Sequence, residues 1–112
     1  MFNLILALIA VESGGNNLAV GDHGQSHGPL QIQRVVIQDV NRVYKTNYKY
    51  SDRFDRNKSI QICQLYLRHY ASKKRLGRNP TYQDMARIWV AGPDGWRQRE
   101  SLPYWRKVRL HL

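Results

Sequence analysis

Leu4-Ile5-Leu6-Ala7-Leu8-Ile9-Ala10-Val11-Glu12-Ser13-Gly14-Gly15 is the stretch that decides how this chain folds. Eight apolar residues in a row predict a helix from about Phe2 to Ser13, and the turn-rich residues that follow predict its end. With Leu4, Ile5, Leu8 and Ile9 packed into a core, Glu12 lands where core meets cleft. A carboxyl is hard to solvate there, and desolvation raises its pKa, which is the environment a general acid needs. The plain alternative is a polar residue closing a helix. The negative end of the helix dipole is a poor place for Glu, and this tips the reading toward function.

Asp22 comes ten positions later in the glycine-punctuated loop Val20-Gly21-Asp22-His23-Gly24-Gln25-Ser26-His27-Gly28-Pro29-Leu30-Gln31-Ile32. All 18 Lys and Arg residues lie from Arg34 onward, so the first 33 residues hold two carboxylates and no cation in a chain of net charge +10. Such a segregated pair suits glycoside cleavage. One carboxyl protonates the leaving oxygen while the other, or a water it holds, meets the oxocarbenium-like centre.

Four segments, taken in order, carry a resemblance. They are Ala10-Val11-Glu12-Ser13-Gly14-Gly15-Asn16, Gly28-Pro29-Leu30-Gln31-Ile32, Asp84-Met85-Ala86-Arg87-Ile88-Trp89-Val90-Ala91-Gly92-Pro93-Asp94-Gly95-Trp96, and Tyr104-Trp105-Arg106-Lys107-Val108. The set is similar to the lysozyme superfamily, above all the invertebrate-type (destabilase) lysozymes and their bacterial and phage relatives. These grade into the goose-type lysozymes and the soluble lytic transglycosylase domains. The resemblance spans nearly the whole chain, and four ordered motifs are far more specific than any one of them.

The resemblance implies a mainly α, lysozyme-like α+β fold: one small helical domain over residues 1–112, with a short β-like loop facing the substrate cleft. It implies that Glu12 is the general acid and Asp22 the second carboxylate, in a Gly-Asp-x-Gly-like loop. Gln31 matches a substrate-side hydrogen bonder and Tyr104 a cleft tyrosine; Ser26, His27, Trp89 and Gly92 complete the expected substrate-binding set. Relatives usually show Asn-Gly where this chain has Val90-Ala91, a departure at the sugar-facing wall. The implied activity is cleavage of the β-1,4 bond between N-acetylmuramic acid and N-acetylglucosamine, without a cofactor, by a monomer acting at the bacterial cell wall. Peptidoglycan or a related amino-sugar polymer is the expected substrate. Water attack makes a lysozyme; attack by the muramic 6-hydroxyl makes a lytic transglycosylase and needs only Glu12.

The remaining features weigh less. His23 and His27 are four apart beside Asp22, but a glycine-rich loop does not fix that spacing and no cysteines accompany them, so no metal site is expected. The single cysteine, Cys63, sits among apolar residues as a small buried hydrophobe. The apolar start lacks a basic lead-in and is too short to span a membrane. It flows into the Glu12 motif, so it reads as core and not as a signal peptide. The basic surplus around Arg68–Arg78 and Arg97–Arg109 suits an anionic wall surface. It equally suits a nucleic-acid-binding module, although no nucleic-acid motif specifies one. An inactive sugar-binding protein on the same fold is a third reading, motivated by Val90 and Ala91.

For the other elements, a small hairpin is expected around Gly21 to Gly24. Pro29 opens the next segment, with a helix to about Tyr44. Asp55 caps a long helix that Gly77 would end, and Thr81 begins a capping box ahead of a helix stopped by Gly92-Pro93. Ser101 caps a last helix from Leu102 to about Leu110.

Overall fold

Helix α1 spans Phe2–Ser13, as the sequence predicts, in a computed structural model that describes residues 1–112. Leu4, Ile5, Ala7, Leu8 and Ile9 are buried. Glu12 lies at i+3 from Ile9, i+4 from Leu8 and i+7 from Ile5, so helical geometry carries it down the face that meets the core. Gly14 ends the helix in the left-handed region at φ 62° and donates its N–H to the Ala10 carbonyl at 3.1 Å.

The loop beyond α1 is pinned on several sides. Ser13 Oγ donates to the Pro29 carbonyl at 2.8 Å, and the Arg56 guanidinium donates to the Gly15 carbonyl at 2.7 Å and to Asn17 Oδ1 at 3.0 Å. Strands β1 (Val20–Gly21) and β2 (Ser26–His27) pair antiparallel, Val20 with His27 and Gly21 with Ser26, forming the expected hairpin. Gly28 follows at φ 86°, and a Cβ there would collide with the backbone carbonyl of Arg53. Only glycine lets these two segments touch.

Pro29 opens a turn and not the helix itself. Gln31 takes φ 51° and Ile32 bridges back to His27, so α2 covers Arg34–Tyr44. Asp55 caps α3 (Arg56–Tyr70) by accepting the Lys58 N–H at 3.0 Å. The expectation that α3 runs to Gly77 is corrected. Ser72 Oγ accepts the Arg75 N–H at 3.1 Å and starts a separate one-turn helix, α4 (Lys73–Leu76), which Gly77 ends at φ 78°. A serine that can cap outcompetes continuation of the helix, and the break buries Leu76.

Thr81 and Asp84 form the expected capping box for α5 (Tyr82–Ala91), and both terminal nitrogens of Arg78 donate to the Asp84 carboxylate, at 2.5 and 2.9 Å. Helix α6 covers Leu102–Val108 and tightens to a 3₁₀ turn over Arg109–His111. Ser101 does not cap it with its side chain. Its hydroxyl instead accepts from Arg87 Nε at 2.7 Å and donates to the Gly95 carbonyl at 2.7 Å, which holds the turn after α5.

All the long helices feed one cluster, in which Leu4, Ile5, Leu8, Leu30, Ile62, Leu67, Ile88 and Val108 are each fully buried. Cys63 is buried within it, and burial pushes its thiol pKa up. No helix is long and apolar enough to cross a membrane.

Gly14 and Gly28, both at positive φ, differ in surroundings, and this separates two costs. Gly14→Ala meets open space and pays only the backbone penalty, about 1–2 kcal/mol. Gly28→Ala adds a clash with fixed backbone, typically another 1–3 kcal/mol. Thermal or urea unfolding of both variants should therefore rank Gly28→Ala well below Gly14→Ala; equal losses would contradict the close approach to Arg53.

Candidate active site

Where α1 ends, a cleft of about 350 Å³ opens. Glu12 forms one side; Asp22, Ser26, Gln31 and Ile32 come from the hairpin and the turn after it. The start of α2 adds Gln33, Val35 and Val36, Tyr66 comes from α3, and the end of α5 supplies Trp89 to Gly92. Four separate parts of the sequence thus meet at one carboxyl.

Glu12 has its pKa raised to about 7. Burial drives it up, a hydrogen bond from Tyr104 pulls it partly back, and the nearby Asp22 charge adds a further push upward. Tyr104 Oη donates to Glu12 Oε2 at 2.8 Å. The tyrosine's own pKa is raised by burial and by the acid beside it, so its hydroxyl stays protonated and remains a donor. With Oε2 occupied in this way, the proton of the neutral acid belongs on Oε1. The arrangement can hold a proton near neutrality and hand it over from a defined atom.

Asp22 stands on an exposed turn, at φ 50°, followed by His23 at φ 56°. Two consecutive non-glycine residues in the left-handed region are costly, and such strain concentrates at functional sites. Ser26, fully buried, donates its hydroxyl to Asp22 Oδ2 at 2.5 Å and holds that carboxylate's orientation. Gln31 lines the cleft, yet its Nε2 is committed to the Ala19 and Gly28 carbonyls at 3.1 and 2.9 Å. It braces the loop as much as it faces the cleft.

The other expected residues fall into two groups. Trp89 and Gly92 line the cleft, with Trp89 packed edge-on against Tyr66 at 5.6 Å between ring centres. His27 and Tyr104 do not line it. His27 faces a neighbouring cavity, with Nε2 bonded to the Gly24 carbonyl at 2.7 Å and its ring stacked on Phe54 at 5.0 Å. Tyr104 stands behind Glu12, where it touches the acid itself. Val90 and Ala91 give the wall near Trp89 an apolar surface.

Tyr66 is the aromatic cleft residue that the sequence reading passed over, along with Gln33, Val35 and Val36. Burial, then its neighbour Tyr70, pushes its pKa up to about 12, so the hydroxyl is protonated at any ordinary pH. The available signal was a polar-tipped aromatic on the otherwise apolar face of α3, three residues after Cys63.

The raised Glu12 pKa has a consequence for stability. Between its ordinary value of 4.5 and about 7 the folded chain holds a proton that the unfolded chain has lost. Stability from this group therefore falls as pH rises through that window. Glu12→Gln should match the parent near pH 4 and exceed it at pH 8 by about 3 kcal/mol, measured by chemical denaturation at both pH values. A variant no more stable than the parent at pH 8 would mean that Glu12 is not desolvated.

A family model of the transglycosylase SLT domain matches residues 1–83. The matched segment contains Glu12, Asp22, Ser26, Gln31 and Tyr66, while Trp89, Gly92 and Tyr104 lie beyond it. A search of curated proteins finds no match to the chain. With most of its length covered, including the acid and the loop facing it, the chain belongs to the transglycosylase SLT domain family of enzymes that cleave glycosidic bonds in peptidoglycan.

Proposed function

We propose that the chain is a muramidase acting on the β-1,4 bond between N-acetylmuramic acid and N-acetylglucosamine, with residues 1–112 as one catalytic unit. Glu12 serves as the general acid and Asp22 assists. One observation carries this reading: a desolvated carboxyl, held by Tyr104 and with its pKa near 7, faces a cleft that also holds a second carboxylate. Glu12 donates its proton to the glycosidic oxygen as the C1–O bond breaks, and Asp22, or a water it orients, meets the positive charge growing at C1. Trp89 and Tyr66 offer aromatic area to sugar faces.

The runner-up is a lytic transglycosylase, in which the muramic 6-hydroxyl closes on C1 and no water is consumed. It is favoured by the apolar stretch of the cleft formed by Ile32, Val35, Val36, Val90 and Ala91, which discourages water. Mass spectrometry of digested peptidoglycan decides between them, because the anhydro product is lighter than the hydrolysed one by one water. Asp22→Asn sharpens the test. Hydrolysis assisted by Asp22 should fall steeply in this variant, whereas a Glu12-only transglycosylase should keep its rate and its anhydro products.

The acid role has its own signature. Glu12→Gln should lose roughly a hundredfold to ten-thousandfold in turnover. In the parent, kcat/KM should fall as pH rises past about 7, as the proton leaves Glu12. Tyr104→Phe removes the one bond that lowers that pKa, so the alkaline limb of the profile should move to higher pH. A limb that stays in place or moves to lower pH would take Glu12 out of the role.

A further inference from the structure

Beside the cleft lies a second cavity, of about 440 Å³, which shares Gln33 and Val35 with it. Gly24, Gln25 and His27 of the hairpin region, Arg34 at the start of α2, and Arg53 complete its lining. Arg53 is only 2 % exposed. Its Nε donates to the Tyr50 carbonyl at 2.8 Å, and Nη1 donates to the carbonyls of Ile32 at 3.0 Å and Gln25 at 3.4 Å. Every partner is neutral.

A buried charge is normally offset by an opposite one, because desolvation costs several kcal/mol per ion. Arg53 has no salt bridge; its charged neighbour is a second cation. The Arg34 guanidinium lies 4.6 Å above the Tyr50 ring, and Arg53 approaches the same ring at 5.6 Å. Arg34 makes no salt bridge either, and burial together with Arg34 lowers the Arg53 pKa. Helix α2 points its positive end here as well, and Gln33 supplies no side-chain cap to its first N–H groups. Two guanidiniums and a helix terminus thus surround a cavity to which the chain contributes no anion.

We propose that this cavity is an anion subsite that takes a carboxylate carried on the lactyl-peptide arm of the muramic residue, with Arg34 as its accessible ligand and the buried Arg53 guanidinium as its floor. The inference rests on the functional reading above and specifies which part of the wall polymer is recognised. A strand lying in the cleft meets the second cavity at Gln33 and Val35. The carboxylates that peptidoglycan carries near its glycosidic bonds hang from that arm. A guanidinium suits them because it offers paired N–H donors in a fork that fits two oxygens.

The test uses three matched short glycans: one with free stem-peptide carboxylates, one with those carboxylates converted to amides, and one stripped of peptide so that the bare lactyl carboxylate remains. The parent should prefer the first over the second by about tenfold in kcat/KM, mostly through KM, as one charge-assisted bond is worth at least that much. Arg34 is exposed, so Arg34→Gln should fold normally and bring the preference close to unity. Lys45→Gln removes the same charge at the other end of α2 and should keep the preference.

Because the lactyl carboxyl is tied up in the amide bond to the peptide, preference for the first glycan over the second assigns a stem-peptide carboxylate as the ligand; if the stripped glycan is also preferred over the amidated one, the subsite takes the freed lactyl carboxylate as well. No preference in the parent, a preference that survives Arg34→Gln, or an equal loss in Lys45→Gln would each overturn the subsite while leaving the functional reading intact. Cleavage of none of the three glycans would overturn the functional reading, and this inference with it.

Discussion

The hydrogen bond from Tyr104 to Glu12 joins residues 92 positions apart, and the chemistry of the cleft depends on it. Burial alone would push the acid further up and leave its carboxyl free to turn. The tyrosine limits the first effect and prevents the second, because it is a permanent donor to one named oxygen. Since α6 carries Tyr104 and α1 carries Glu12, the acid is tuned only when the chain has closed on itself. The matched family segment ends at residue 83, so this adjustment comes from the part of the chain beyond it.

What could be read in the sequence was what local rules write there. The apolar run of α1, the Asp55 cap, the Thr81–Asp84 box and the glycine-marked hairpin each depend on residues within a few positions of one another. They came out as expected. The site was legible to the extent that it sits on those elements, which is why Glu12, Asp22, Gln31, Trp89 and Gly92 all reach the cleft. Contacts made across the fold were not legible. Ser101 has the look of a cap, but Arg87 and the Gly95 carbonyl claim its hydroxyl. Ser72 divides a helix that periodicity would have continued. Tyr66 faces the cleft because of where α3 lies against α5, and Arg53 is buried because the distant Gln25 and Ile32 carbonyls converge on it beside the local Tyr50 carbonyl.

Charge is arranged on two scales. The cleft lining holds two carboxylates and no cation, and the Lys and Arg residues lie outside it. The cationic surface is not uniform, however. Arg75, which reads as one of a free basic run, donates to the Tyr70 and Pro93 carbonyls and to Asp94, and so ties α4 to the turn beyond Gly92 at the cleft wall. Lys73 and Lys74 make no such bonds and are the residues available to act at long range on an anionic surface. Sequence runs of like charge can mix anchoring and steering roles.

Cys63 is fully buried, and burial, with the charge of Glu12 nearby, pushes its thiol pKa up. It is the one cysteine of the chain, so an alkylating reagent has a single target and reaches it only when the helices part. The rate of its modification is therefore a built-in clock for opening of the core beneath the acid, readable in the unmodified protein without an added label. Any molecule that fills the cleft and holds Glu12 in place will slow that clock, which makes thiol chemistry a means of finding ligands before any turnover has been seen.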